Sequence, residues 1–415
     1  MRTTLTWIHS PAQGNEPSFF EACLMERVIT GLENLIKSPP AWLIGKKAGL
    51  LCNPASVDSQ LQHTRLLIES RLPGTLQSLF SPQHGFFSEK QDNMIESDDM
   101  LDPLLQIPVY SLYGKTRIPE KRMMEGLDVL IIDLQDVGTR VYTFIYTMSY
   151  CLETARQYNV KVLLLDRPNP VGGLAVEGNC LSPEYASFVG RFPIPMRHGL
   201  TMGELALLFN RHYEIGCDLE IVPLSGWRRH MAFGETGLPW VAPSPNLPTP
   251  TSALVYPGQV IWEGTNVSEA RGTTQPFELF GAPFFDQPAL EAFISSRPLP
   301  GAVLRRTAFE PTANKWQGTL CKGFQIHLLE KAMYEPYATS LFLLQAVIAC
   351  HVDAFEWKPP PYEYEYDKLP IDLILGDRDI RQRLESLEPI DDINDSWKEQ
   401  TEKFQHMSRA YYLYD

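Results

Sequence analysis

Leu127–Thr143, LDVLIIDLQDVGTRVYT, is the stretch whose reading decides the fold of this chain. Val129, Leu130, Ile131 and Ile132 form an apolar run without polar alternation, which predicts a central parallel strand covered on both faces. The run ends in Asp133, Gln135 and Asp136, then turns through Gly138 into a helical pattern over 139–158. Ligands of open α/β sheets bind beyond the carboxyl ends of such strands, so the polar burst marks a candidate functional edge.

The same design recurs. Ala48–Ser56 (AGLLCNPAS) surfaces at Asn53, Leu76–Gly85 (LQSLFSPQHG) at Gln83 and His84, and Lys161–Asn169 (KVLLLDRPN) at Asp166, Arg167 and Asn169. Val109–Tyr113 is a shorter candidate strand, and helical spacing fills Leu61–Leu72, Pro119–Glu125 and 139–158. Strand and helix alternate, which predicts the α/β class with a doubly wound, mostly parallel Rossmann-like sheet. Right-handed crossovers would then gather every polar strand end along one rim.

Past Asn169 the chain loosens into a Gly- and Pro-rich stretch whose Tyr185, Phe188, Val189 and Phe192 predict an ordered loop. Thr201-Met202-Gly203-Glu204 fits a capping box ahead of a helix over Leu205–Tyr213, and Leu219–Leu224 reads as a further strand. Pro243–Pro250, PSPNLPTP, holds four prolines in eight positions, which disfavours helix and central strand and reads as a linker. Beyond it, strands at Val303–Phe309 and Cys321–Leu328 and helices at Pro336–His351 and Asp392–Ala410 predict a second, smaller α+β domain. The expected division is 45–250 for a Rossmann-like catalytic domain and 251–415 for a domain completing its cleft. The aromatic-acidic run PPPYEYEYDKLP (Pro359–Pro370) reads as an ordered surface loop.

Composition narrows the function. The 415 residues are 44% hydrophobic and 21% charged, with no apolar run near the roughly 20 residues that span a bilayer. A formal net charge of -14 without a local Lys/Arg run disfavours nucleic acid as a partner. The seven cysteines are scattered and contain no C-x-x-C pair, which argues against a disulfide framework and a zinc site. The opening MRTTLTWIHSPAQGNEPSFFEAC has no continuous apolar core of a secretory signal, so the expected location is the cytoplasm. Oligomeric state stays open.

Four clusters have the residue types for chemistry. Asp133 and Asp136, with Gln135 between them, suit a general acid and base, a hard metal ion or a sugar hydroxyl, or simply a helix cap. Arg140 and Tyr142 follow where the free N–H groups of a helix start would welcome an anion. The loop SPQHGFFSEKQDN (Ser81–Asn93) brings together Gln83, His84, Glu89 and Asp92. Prolines stiffen Asp166 to Pro170, and the run IWEGTNVSEARGTTQPFE places Glu263, Asn266 and Arg271 among short hydroxyls. Such groups suit a many-hydroxyl ligand, whose buried OH groups cost roughly 1 to 3 kcal/mol each if unpaired. The glycine cradles of dinucleotide and P-loop sites are absent, as are G-x-S-x-G and H-E-x-x-H, so neither cofactor nor metal is expected.

The runs NPAS, SPQHGF, PVYSLYGKTR, IIDLQDVGTRVYTFIYTM, LDRPNPVGG, YASFVGRFPIPMRHGLTMGELA, SPNLPTP and VYPGQVIWEGTNVSEARGTTQPFELFGAPF resemble the exo-β-N-acetylmuramidase family of peptidoglycan-recycling glycosidases. The resemblance covers about residues 45 to 330 densely and the remainder less distinctly. It implies a Rossmann-like N-terminal domain, a smaller C-terminal domain, and release of terminal N-acetylmuramic acid from a small carbohydrate or muropeptide substrate. It also implies that His84, Arg140, Asn169, Asn266 and Arg271 orient the sugar's hydroxyls, acetamido group and lactyl carboxylate.

One departure stands out. The family commonly has Glu in a Pro-Glu-His-Gly motif as its acid, whereas this chain has Gln83 between Pro82 and His84. An amide does not titrate near neutrality and cannot act as that acid. Three readings follow: the acid has moved to Glu89 or the Asp133/Asp136 pair; the substrate's acetamido group is the nucleophile, with carboxylates polarising it; or the protein binds sugar without cleaving it.

Overall fold

A computed structural model describes residues 27–92 and 94–415. The N-terminal stretch read as lacking a secretory signal lies outside the described residues. Seven strands form the main sheet: β1 (Ala48–Cys52), β2 (Leu76–Ser81), β3 (Met100–Leu101), β4 (Pro108–Ser111), β5 (Val129–Asp133), β6 (Lys161–Leu165) and β9 (Leu219–Val222). Between β6 and β9, β7 (Glu177–Cys180) and β8 (Pro195–Arg197) pair as a separate antiparallel ribbon. The main sheet runs β3-β4-β2-β1-β5-β6-β9 and is parallel except for the β3 edge.

This is the doubly wound sheet the alternation predicts. The chain leaves β1 toward β2 and β4, then returns to β1's other side with β5, and Ala48–Cys52 lies in register with Val129–Asp133. The apolar run of β5 supplies two cores. Val129 and Ile131 join Leu50 and Leu163 on one face, while Leu130 and Ile132 join Leu51 and Leu164 on the other. A strand with both faces dry has no use for polar alternation.

The helix expected from residue 139 begins later, at Phe144, and runs to Tyr158. Asp136 Oδ2 accepts the Gly138 N–H at 2.8 Å, and Gly138 sits at a φ of 74°, so the carboxylate caps a turn and not the helix. The Arg140 N–H then donates to the Met196 carbonyl at 2.7 Å, committing the backbone to the β8 ribbon. Residues 139–143 are thereby an irregular segment at the sheet's rim. The capping box at Thr201 and Glu204 is present, and the helix it opens spans Met202–Arg211.

The C-terminal half holds a three-stranded antiparallel sheet of β10 (Leu279–Ala282), β11 (Ala302–Phe309) and β12 (Cys321–Leu328), ordered β10-β12-β11. The helix Pro336–Cys350 packs against the helices Pro250–Gln259 and Gln287–Ile294, and the expected terminal helix is two, Ile390–Asp395 and Lys398–Ser408. Phe280, Phe324 and Leu344 share a buried cluster with Leu130 and Ile132, so apolar packing is continuous from one half to the other. The proline-rich Pro243–Pro250 ends by opening the helix Pro250–Gln259, with Pro250 where an N–H would lack a partner and Thr249 capping. Among the described residues no helix is long and apolar enough to cross a membrane.

Candidate active site

Where the carboxyl rim of the main sheet meets the C-terminal half, side chains line a narrow cavity. The loop after β2 contributes Gln83 and His84, the segment after β5 contributes Tyr142 and Thr143, and the C-terminal half adds Tyr256, Glu263, Arg271, Tyr362 and Glu363. Tyr142 and Phe277 each meet the Tyr256 ring edge-on, at 6.0 Å and 4.9 Å between centroids. An aromatic wall facing polar groups suits a sugar, which has apolar ring faces and a polar edge.

One side of the cavity is a chain of hydrogen bonds centred on Gln83. The Thr143 hydroxyl donates to Gln83 Oε1 at 2.6 Å, which fixes the amide's orientation, and Gln83 Nε2 donates to Glu363 Oε1 at 3.0 Å. The Tyr113 hydroxyl donates to Glu363 Oε2 at 2.6 Å. Burial above all pushes the Glu363 carboxyl up to about 7, with the Glu263 charge adding to it and the bonds from Tyr113 and Gln83 opposing it. The amide at position 83 therefore does not leave the cavity without an acidic group.

Glu363 is held there at a cost. Glu363 and Tyr364 are the central residues of a turn closed by reciprocal Tyr362–Glu365 backbone bonds of 2.9 Å, with φ of 45° and 68°. Positive φ at both centres is the type I′ pattern that Asn-Gly favours. Strain of this kind persists only where surroundings over-determine it. Here Arg117 covers the Tyr364 ring, and the Tyr113 and Tyr364 rings meet edge-on at 5.9 Å.

The opposite side of the cavity is ionic. Arg271 Nη2 donates to Glu263 Oε1 at 2.6 Å and its Nε lies 3.2 Å from Glu269, whereas its buried Nη1 has no partner. Tyr362 donates to the second Glu263 oxygen at 2.7 Å, and Lys315 pairs with Glu269 at 2.7 Å. A second, more open space begins at Arg271 and is bordered by Lys315, Lys358, Asn314 and Asp92. His84 Nδ1 donates to the Lys90 carbonyl at 2.8 Å, leaving Nε2 as an acceptor, and burial lowers the imidazole's pKa to about 4. At neutral pH His84 is uncharged, with Nε2 able to accept a hydrogen bond.

Of the residues singled out from sequence, Gln83, His84, Tyr142, Glu263 and Arg271 meet in this cavity. The others are placed elsewhere. Glu89 is exposed and accepts the Phe87 N–H of its own loop at 3.2 Å. Asp133 is fully buried between Arg167, at 2.5 Å and 2.9 Å, and the Thr64 hydroxyl. Asp136 caps Gly138 and faces the buried His198 at 3.2 Å. Neither carboxylate of that pair reaches the cavity, because the strand end that bears them turns inward onto its neighbours.

The remaining residues also serve backbone. Arg140 is fully buried and donates to four carbonyls, Asn179 (2.8 Å), Ile194 (3.2 Å), Ile374 (2.9 Å) and Leu375 (2.7 Å). Asp166 accepts from Tyr414 (2.6 Å), Thr201 (2.8 Å) and the N–H of Gly203 (2.8 Å), and burial raises its carboxyl to about 6. Asn53 donates to the Pro243 carbonyl, Asn169 to Leu200 and Asn266 to Ala354.

Sequence reading missed Glu363, Tyr362, Tyr256 and Tyr113. The run holding Glu363 reads as a surface loop, yet Tyr362 and Glu363 are buried while Pro359, Pro361, Tyr366 and Asp367 face solvent. A signal was present in the alternation of tyrosine and glutamate behind three prolines, since a stiffened segment rich in aromatic rings has apolar area to bury.

A doubly wound sheet with a polar, aromatic-walled cavity at its carboxyl rim, beside a smaller antiparallel sheet unit, defines an α/β protein with a cleft at the carboxyl ends of its strands. Family models place it more narrowly: residues 48–251 match the N-terminal and residues 254–414 the C-terminal part of the exo-beta-N-acetylmuramidase NamZ. The chain belongs to that family. It is 41% identical over 388 residues, 94% of its length and 92% of the relative's, to the peptidoglycan beta-N-acetylmuramidase NamZ of Bacillus subtilis (strain 168). Two crystal structures of DUF1343 family proteins from Bacteroides fragilis NCTC 9343 share the fold. One has a TM-score of 0.83 at 34% identity and the other 0.72 at 27%, each covering 94% of this chain and 99% of its own.

Proposed function

We propose that this chain is an exo-acting glycoside hydrolase that releases terminal N-acetylmuramic acid from peptidoglycan fragments. The observation that carries this reading is Arg271: a buried guanidinium with one nitrogen unpartnered, in the wall of a cavity lined by aromatic rings and polar groups. Muramic acid differs from glucosamine by a lactyl carboxylate, and a planar N–H donor answers a carboxylate geometrically as well as electrically. The aromatic wall of Tyr142 and Tyr256 takes the ring, and His84 Nε2 accepts a hydroxyl. The more open space beyond Arg271 receives whatever extends from the lactyl group, including a stem peptide.

Family membership and the 41% identity to the Bacillus subtilis muramidase support the same reading. The division at about residue 250 into a Rossmann-like catalytic domain and a domain that completes the cleft belongs to this proposal. So does a cytoplasmic role in cell-wall recycling, which six unpaired cysteines among the described residues favour over an oxidising compartment.

The test is direct. The purified protein is expected to release free N-acetylmuramic acid from a MurNAc–GlcNAc disaccharide, and to leave MurNAc residues inside intact glycan strands uncut. Mass spectrometry that detects no free sugar between pH 4 and 9 from folded protein would sink the hydrolase reading.

A further inference from the structure

Two carboxyl groups line the cavity, and their surroundings differ in kind. Glu263 is bound to the Arg271 guanidinium at 2.6 Å and to the Tyr362 hydroxyl at 2.7 Å, so one of its oxygens faces a cation directly. Among the described residues no cation is in hydrogen-bond contact with Glu363. Its two oxygens are held by neutral donors, the Gln83 amide at 3.0 Å and the Tyr113 hydroxyl at 2.6 Å, and its side chain is almost wholly buried. Two carboxyls set apart in this way mark a division between acid and base duties.

We infer that Glu363 is the proton donor of the reaction, that Gln83 and Tyr113 are its positioning residues, and that the left-handed turn at Glu363–Tyr364 exists to deliver it. The assignment rests on the glycosidase reading above. In the step it performs, the Glu363 proton passes to the glycosidic oxygen as the bond from that oxygen to C1 breaks, and the aglycone leaves as an alcohol. Water then adds at C1, and its spare proton restores the Glu363 carboxyl, so the turnover consumes one water and changes no charge.

The geometry supports the role from three directions. Gln83 is locked by Thr143 with its amide N–H aimed at Glu363, so the carboxyl cannot rotate away while that chain is intact. Glu363 faces Tyr113 and Arg117 from one half of the molecule and Glu263, Arg271 and Tyr362 around the cavity, with uncharged His84 also in the lining. The balance of these groups with burial sets the carboxyl near 7, where an acid is half loaded at physiological pH. A turn built from glutamate and tyrosine where glycine would relax it is the signature of a position retained for its side chain.

The experiment compares Glu363→Gln with the parent on two substrates: the MurNAc–GlcNAc disaccharide, whose leaving alcohol needs a proton, and the 2,4-dinitrophenyl glycoside of MurNAc, whose phenolate does not. Glu363→Gln is expected to lose about 10²- to 10⁴-fold in kcat on the disaccharide and less than about 10-fold on the aryl glycoside. The parent's kcat/KM on the disaccharide is expected to be level below about pH 7 and to fall above it as Glu363 loses its proton. The aryl glycoside should lack that limb. Gln83→Glu gives a second readout: a carboxyl added 3.0 Å away makes the pair hold its shared proton more tightly and moves the alkaline limb upward by about one unit or more.

Equal loss on both substrates would assign Glu363 a merely structural role and overturn the inference. So would an alkaline limb that Gln83→Glu leaves unmoved. A parent protein that releases nothing from either substrate overturns the hydrolase reading and this assignment with it, whereas a parent that works and a Glu363→Gln variant that works equally well overturns this assignment alone.

Discussion

Arg271→Lys is expected to lower kcat/KM for MurNAc-terminated substrates by about 10- to 100-fold while leaving any slow reaction on GlcNAc-terminated ones unchanged. A charge-assisted hydrogen bond is worth about 1.5 to 3 kcal/mol, and the lysine cannot present the second nitrogen of the fork. Lysine keeps a cation between Glu263 and Glu269, which matters because removing the charge altogether would strand two buried carboxylates. The informative quantity is the ratio of the two substrates, measured side by side with one enzyme preparation. A loss shared equally by both would mean that Arg271 holds the cavity together without reading the lactyl group.

Arg140→Met is expected to destabilise the fold by about 3 to 5 kcal/mol and to leave the activity of the surviving folded protein largely intact. Four carbonyls converge on this guanidinium; Leu375 keeps the Asn179 amide and Ile194 keeps the Leu181 N–H, so it is the Asn179 and Ile374 carbonyls that lose their donor, and a buried carbonyl left without one costs about 1 to 3 kcal/mol. Ile374 and Leu375 end the helix Pro370–Leu375, where no further backbone N–H is available to them. The methionine fills much of the arginine's volume, so packing alone contributes little of the loss. Urea unfolding followed by tryptophan fluorescence measures the effect; a change below about 1 kcal/mol would show that water or relaxation satisfies those carbonyls.

The architecture was legible because it rests on short-range pattern. Apolar runs at β1, β5 and β6 announce strands covered on both faces, and turn chemistry and capping boxes bound the helices between them. The location of the site at the carboxyl rim followed from topology, and it brought Gln83, His84 and Tyr142 into view. What sequence could not separate was a polar residue pointing into the cavity from one pointing into the framework. Asp133, Asp136, Asp166 and Asn169 stand at strand ends as a catalytic group would, yet each is consumed by neighbours that come from distant segments: Arg167, His198, Tyr414 and Leu200. Glu363 was lost for the complementary reason. Its role comes from Gln83 and Tyr113, which adjoin it only after the chain has folded back on itself.

That folding back has a consequence for how the protein comes into being. Glu363 is bonded to partners 280 and 250 positions earlier in the chain. A ribosome therefore makes the whole strand rim, the amide of Gln83 and the aromatic wall long before it makes the proton donor. Until residue 363 has emerged, Gln83 and Tyr113 have no carboxyl to hold, and one wall of the cavity is missing. A protease that severs the late segment would therefore silence hydrolysis without touching the half in which most of the recognisable motifs reside.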